Sequence, residues 1–204
     1  MKTHEIAICA VVLIALLAPC KVLSVQKSNC GETAAMAKMV RAISAAELVA
    51  ERGKAGDSYL ARVVFAARQF ELYPEKHDAA LLLLNLIPNS NEQQFALASI
   101  GDSLCGAESY RDMKTLGQIK EHLPHDLAKA VLLAPDKMPE YVAYSITSVQ
   151  DPHSDYAIHM QKVCRARRTE FIDAVAKLPR DKRDRFLKYV FNPEGCNALT
   201  LPEA

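Results

Sequence analysis

Tryptophan is absent from this 204-residue chain, glycine occurs seven times, and aromatic residues make up 6%. β-Branched and aromatic residues nowhere gather into alternating runs, so the sheet-forming pattern is missing. No C-x-x-C occurs, and the cysteine spacing fits no zinc pattern. No Asn-x-Ser/Thr sequon is present, which suits a bacterial more than a eukaryotic secretory route. The longest apolar run, Ile6–Ala18, is shorter than the roughly 20 residues a membrane span needs. An excess of one charge is also missing: the formal net charge is +1, which argues against a general polyanion binder or specific nucleic-acid recognition.

What remains is a chain that is half hydrophobic, rich in Ala and Leu, and long enough for a sizeable core. That composition favours helix and gives no sign of disorder. The run after Lys2 has the length of a signal-peptide core, so residues 1–24 are expected to be an export signal, cut between about Pro19 and Gln26. Cys20 in "LLAPC" resembles a bacterial lipobox cysteine, but Pro19 stands where that pattern wants a small residue. The expectation is therefore an exported protein, periplasmic or secreted, in preference to one lipid-anchored at Cys20. Without residues 1–24, which hold Lys2, Lys21 and Glu5, the chain carries 23 basic and 23 acidic residues.

Four cysteines then remain, and an even number in an exported chain reads as two disulfides. The expected pairs are Cys164–Cys196 and Cys30–Cys105, from the order of helical hairpins set out next.

Helical periodicity runs through residues 25–204, which are expected to form a single all-α domain of stacked antiparallel hairpins, an irregular solenoid-like array or a bundle, with about nine helices. The first helix is expected over 32–52, with Met36, Val40, Ile43 and Ala50 inward and Gly53 and Gly56 ending it. Asp57 caps a second, which stops before Pro74; "HDAALLLLNLIP" is a central third. Ser90 and Gln93 form a capping box for a fourth, through Cys105. A fifth runs to Leu123, with Tyr110, Met113 and Leu116 inward, and "LPHD" turns the chain into a sixth. Pro139 opens a seventh. A long eighth runs from Asp151 to Leu178, with Arg167 oddly placed on its apolar face, and a ninth ends before Pro193. A basic C-terminal hairpin (152–192) precedes a short irregular tail. The stretch "AARQFELYPEKHDAALLLLNL" resembles the helix-turn-helix junction of tetratricopeptide arrays, over about 20 residues and with no fixed repeat.

Gly101-Asp102-Ser103-Leu104 spells GDSL, which resembles the nucleophile block of a family of serine esterases and lipases. That resemblance implies an α/β sheet, with the serine after its first strand and a closing Asp-x-x-His that activates it. Here the tetrad follows three helical segments, and Asp151-Pro152-His153 is one residue short of the family's pattern. The tetrad is therefore read as coincidence, and an esterase using Ser103, Asp151 and His153 stands as an alternative.

Metal ligation is the other enzymatic alternative. His153, Asp155 and His159 sit near one helix start, and His122, His125 and Asp126 surround a turn. Asp151 and Asp155 equally suit a helix start. Residues 160–192 hold ten Lys/Arg against four Asp/Glu and could face an anionic surface, or be solvated helix faces with local pairing. Tyr141, Tyr144 and Tyr156 could line a recognition groove, though half-buried packing is the commoner use. Taken together, the sequence points to a non-enzymatic interaction or scaffold module of the bacterial envelope or extracellular space, with no cofactor and a protein partner.

Overall fold

The computed structural model describes residues 31–100, 106–149 and 151–190, with the backbone alone for 106–109. Among these the chain is all helical: ten α-helices, one short 3-10 turn and no strand. The expected export signal (residues 1–24), Ser103, and Cys30, Cys105 and Cys196 lie outside the described residues, as does Cys20.

The expected first helix is two. Helix α1 covers 31–41, and α2 runs Ala45–Arg52. Ser44 breaks them apart because its hydroxyl accepts from the Glu47 N–H, capping α2, while Glu47 accepts from the Ile43 N–H. The break changes the helical phase, so Ile43 is 79% exposed and Leu48 is buried. Arg68 of α3 closes the other side of the gap, donating twice to the Ala42 carbonyl at 2.9 and 2.7 Å. Gly56, at φ +71°, turns the chain out of α2.

Helix α3 (Tyr59–Leu72) is capped by Ser58, one residue past the expected Asp57. It buries Val63, Val64, Ala67 and Phe70 as its spacing predicts. Helix α4 (His77–Leu84) and α5 (Asn91–Ala98) follow. The cap of α5 forms at the expected residues: the Gln93 N–H donates to Ser90 Oγ, while Gln93 Oε1 accepts from the N–H of Asn89, one residue before the cap.

The expected fifth and sixth helices are one, α6 (Gly106–Leu133), with Pro124 inside it. An interior proline removes a hydrogen bond and costs about 3 kcal/mol. The buried series Leu116, Ile119, Leu123, Leu127 and Val131 crosses Pro124 without losing phase, so packing holds the helix together. Tyr110, expected inward, is 69% exposed. Beyond a 3-10 turn at Pro135–Lys137 comes α7 (Met138–Ser148). The expected long eighth helix breaks at Arg167 into α8 (Asp155–Ala166) and α9 (Arg168–Ala176). Arg167 leaves helical geometry at φ −138°, ψ 58°, and its guanidinium lies 3.4 Å from Glu170. Helix α10 (Arg180–Tyr189) folds back onto α7 and α9.

Helix α6 is the centrepiece, packed against α3, α4, α7 and α8. Two apolar clusters meet it. The larger gathers α3–α10, including Phe70, Tyr141, Phe171 and Phe186. The smaller holds Met36, Met39, Leu48, Val64, Ile100 and Leu116, with Val40 and Leu60 packed on both. No helix among the described residues is long and apolar enough to cross a membrane.

Candidate functional site

On α6, His122, His125, Asp126 and Lys129 recur at i, i+3, i+4 and i+7, which puts them on one face. To one side stands α3. There Glu71 accepts from Arg68 at 2.6 Å and its other oxygen lies 3.6 Å from His122 Nδ1. To the other side stands α8, whose His159 ring meets the His125 ring edge-on, with centroids 5.1 Å apart. The two histidine motifs of the sequence are thus joined, but by one member from each.

Asp126 is the unusual member. It is 7% exposed, and its Oδ2 has no hydrogen-bond partner in the protein. Burial pushes its carboxyl up to about 7, and the nearby Glu71 carboxylate pushes the same way against His122 and Lys129. Partial burial holds His125 and His159 below the usual histidine range, reinforced by Lys129 and Lys162 for His125 and by Lys162 for His159. Asp155, one turn before His159, pulls the other way on that ring.

Of the other residues grouped with His159 in the sequence, Asp155 acts on the His159 ring from one turn earlier, and His153 gives its backbone N–H to the turn before α8. Asp151 Oδ1 accepts the His153 N–H at 2.7 Å, and Ser154 caps α8 through the Ala157 N–H. That segment is spent on turning the chain into α8. Among the described residues no group of three or more His, Cys, Asp or Glu is arranged to hold a metal ion.

A second feature surrounds α5. This helix buries one side chain, Leu97, and leaves Phe95 75% exposed. A cleft of about 420 Å³ opens beside it between Leu84, Ile87, Pro88, Lys137, Lys182 and Tyr144. Another of about 260 Å³ lies between Leu97, Lys120, Leu123, Ser148, Tyr144 and Tyr156. Gln94 and Tyr144 line both, so the two clefts adjoin.

The tyrosines divide between the two roles their positions allowed. Tyr141 is fully buried packing. Tyr144 and Tyr156 touch through their hydroxyls at 3.0 Å, rings edge-on, and both face the cleft. Burial pushes these hydroxyls above the ordinary tyrosine range, so both stay neutral. Sequence periodicity found the tyrosines but not the clefts, one walled by α4, α5, α7 and α10 and the other by α5, α6, α7 and α8.

The basic stretch 160–192 is largely local chemistry. Arg185 donates to the Val149 carbonyl through Nε at 3.2 Å and also through Nη2, and Lys182 donates to the Ala143 carbonyl. The Arg185 bonds satisfy the carbonyl at the C-terminal cap of α7, and Lys182 reaches a carbonyl in the middle of that helix. Lys188 lies over the Tyr189 ring, 4.8 Å from its centroid.

The described residues contain one cysteine, so no disulfide joins two of them. That residue, Cys164, is buried and disulfide-bonded, and its partner lies outside the described residues.

No family model, curated protein or solved structure matches the chain.

Proposed function

We propose that this chain is an exported, non-enzymatic interaction protein that holds a partner protein at the double cleft beside α5. The observation that supports this most directly is a pair of adjoining clefts, lined by apolar, aromatic and polar side chains, with the exposed Phe95 next in sequence to Gln94, which lines both. Aromatic anchors beside well-formed pockets are the usual centre of a protein interface. Lys137 and Lys182 stand in one cleft with a single carboxylate, Glu140, and Lys120 stands in the other. The fitting partner is therefore a segment that presents an apolar side chain flanked by acidic residues.

The hydrolase alternative draws little support. The esterases that share the GDSL tetrad build on a sheet, whereas the described residues hold no strand and Ser103 lies outside them. The Asp151 carboxylate accepts from the His153 backbone N–H in the turn before α8.

Site-directed photo-crosslinking in the native host tests the proposal, with a benzophenone amino acid at position 95 and, separately, at the exposed Asp173 of α9. The expected result is one discrete adduct from position 95, absent from position 173, diminished by Lys137→Glu with Lys182→Glu. The cross-linked peptide should carry acidic residues beside its apolar anchor. Identical adducts from both positions, or an adduct indifferent to the charge reversals, would overturn it.

A further inference from the structure

We infer that His125 and His159 form a two-histidine site for a late first-row divalent cation, a clasp between α6 and α8. The inference does not rest on the α5 clefts; it concerns a different set of residues.

The geometry comes first. Two imidazole nitrogens bound to one cation at about 2.0–2.1 Å, at angles between square and tetrahedral, place their ring centroids about 4.5–5 Å apart. The observed separation is 5.1 Å, with the rings inclined at 61°. The two rings come from different helices, so their spacing is held by the packing of α6 on α8 and needs no folding of a loop.

Access and donor state fit as well. His125 is exposed and His159 half-buried, so a hydrated ion can approach and keep its remaining waters. The neutral imidazole is the form that ligates.

Charge around the pair is mixed. Lys129 and Lys162 act on it as cations. Asp155, one turn before His159, offsets them. A hard ion such as Mg²⁺ or Ca²⁺ wants several oxygens and finds no set here. Imidazole selects copper, nickel or zinc, with Cu²⁺ expected to bind tightest.

The test uses the full exported chain, stripped with chelator and titrated with Cu²⁺ and with Zn²⁺ by calorimetry. Electron paramagnetic resonance follows the copper. The expected result is one ion per chain, a copper spectrum showing coupling to two imidazole nitrogens, and a melting point raised by Zn²⁺. His125→Ala and His159→Ala should each weaken binding at least tenfold and remove the two-nitrogen signature. His153→Ala and His77→Ala should leave it intact, and Lys162→Gln should tighten binding. His159→Asn, closer in size, guards against a variant that merely fails to pack. No binding to the native chain, binding that survives the double variant, or loss of binding on His153→Ala would overturn the assignment.

Discussion

Asp126 concentrates the energetic question at the scale of single residues. Its folded-state carboxyl titrates near 7 against an ordinary value of 3.8, and one oxygen is buried without a partner. A raised carboxylate pKa means that the folded protein holds its proton more tightly than the unfolded chain does. The neutral form is tolerated at low pH, and stability then falls as pH climbs from about 4 through 7. Asp126→Asn removes that charge. It should be nearly neutral at pH 4.5 and stabilise the protein at pH 8 by about 1–3 kcal/mol. Urea unfolding at the two pH values, with chelator present, measures this. Equal loss of stability at both would contradict the environment described for Asp126. In the sequence this residue was visible only as a member of "HLPHD". Its burial depends on the helices packed around α6, which local spacing cannot reveal. The contact of His125 with His159 was hidden for the same reason, since 34 residues of chain and a whole helix separate them.

At the scale of elements, α5 shows what local signals can and cannot do. Its cap was legible, because Ser90 and Gln93 act within one turn. Its shallow burial was not, because that depends on what α3 and α6 leave uncovered. With only Leu97 buried, the cap is a large share of what holds this helix. Ser90→Ala should cost about 1 kcal/mol, and hydrogen exchange should quicken in α5 while α4 and α6 stay protected. Uniform loss of protection across the fold would show that α5 is not a separate unit.

The break at Ser44 and the continuity through Pro124 have one physical lesson. Punctuating residues set local preferences, and the phase of the buried face decides whether they prevail. Across Pro124 the apolar phase is unbroken and α6 continues; around Ser44 it shifts and the helix divides.

Helix placement also bears on the disulfides. Gln161, one turn before Cys164, donates to the Val190 carbonyl at 3.1 Å. Cys196 follows Val190 by six residues, a reach of up to about 20 Å of chain. Glu32 and Thr33 share a cleft with Ser99 and Ile100, which draws together the segments flanking Cys30 and Cys105. Non-reducing peptide mapping should return Cys164–Cys196 and Cys30–Cys105. A Cys30–Cys164 or Cys105–Cys196 peptide would contradict the placement of these segments.

At the scale of the whole molecule, fold class was the most legible property. Poverty in glycine and aromatics, together with helical periodicity, excluded a sheet, and the described residues are helical throughout their regular structure. Less legible was how surface charge is distributed. Stretch 160–192 is rich in cations, yet Lys182 and Arg185 serve α7 carbonyls, and Lys182 also lines the α5 cleft with Lys137. The electrostatic character of that cleft is therefore assembled from helices far apart in sequence. Such a surface should set both the affinity for an acidic partner and its dependence on salt. The direct test is the dissociation constant of the protein cross-linked through position 95, measured by calorimetry at low and physiological ionic strength. Wild type is compared with Lys137→Glu combined with Lys182→Glu. At least tenfold weaker binding at low salt, with the difference shrinking as salt rises, is the predicted result. Equal affinities for the two proteins at both ionic strengths would contradict recognition at the α5 cleft.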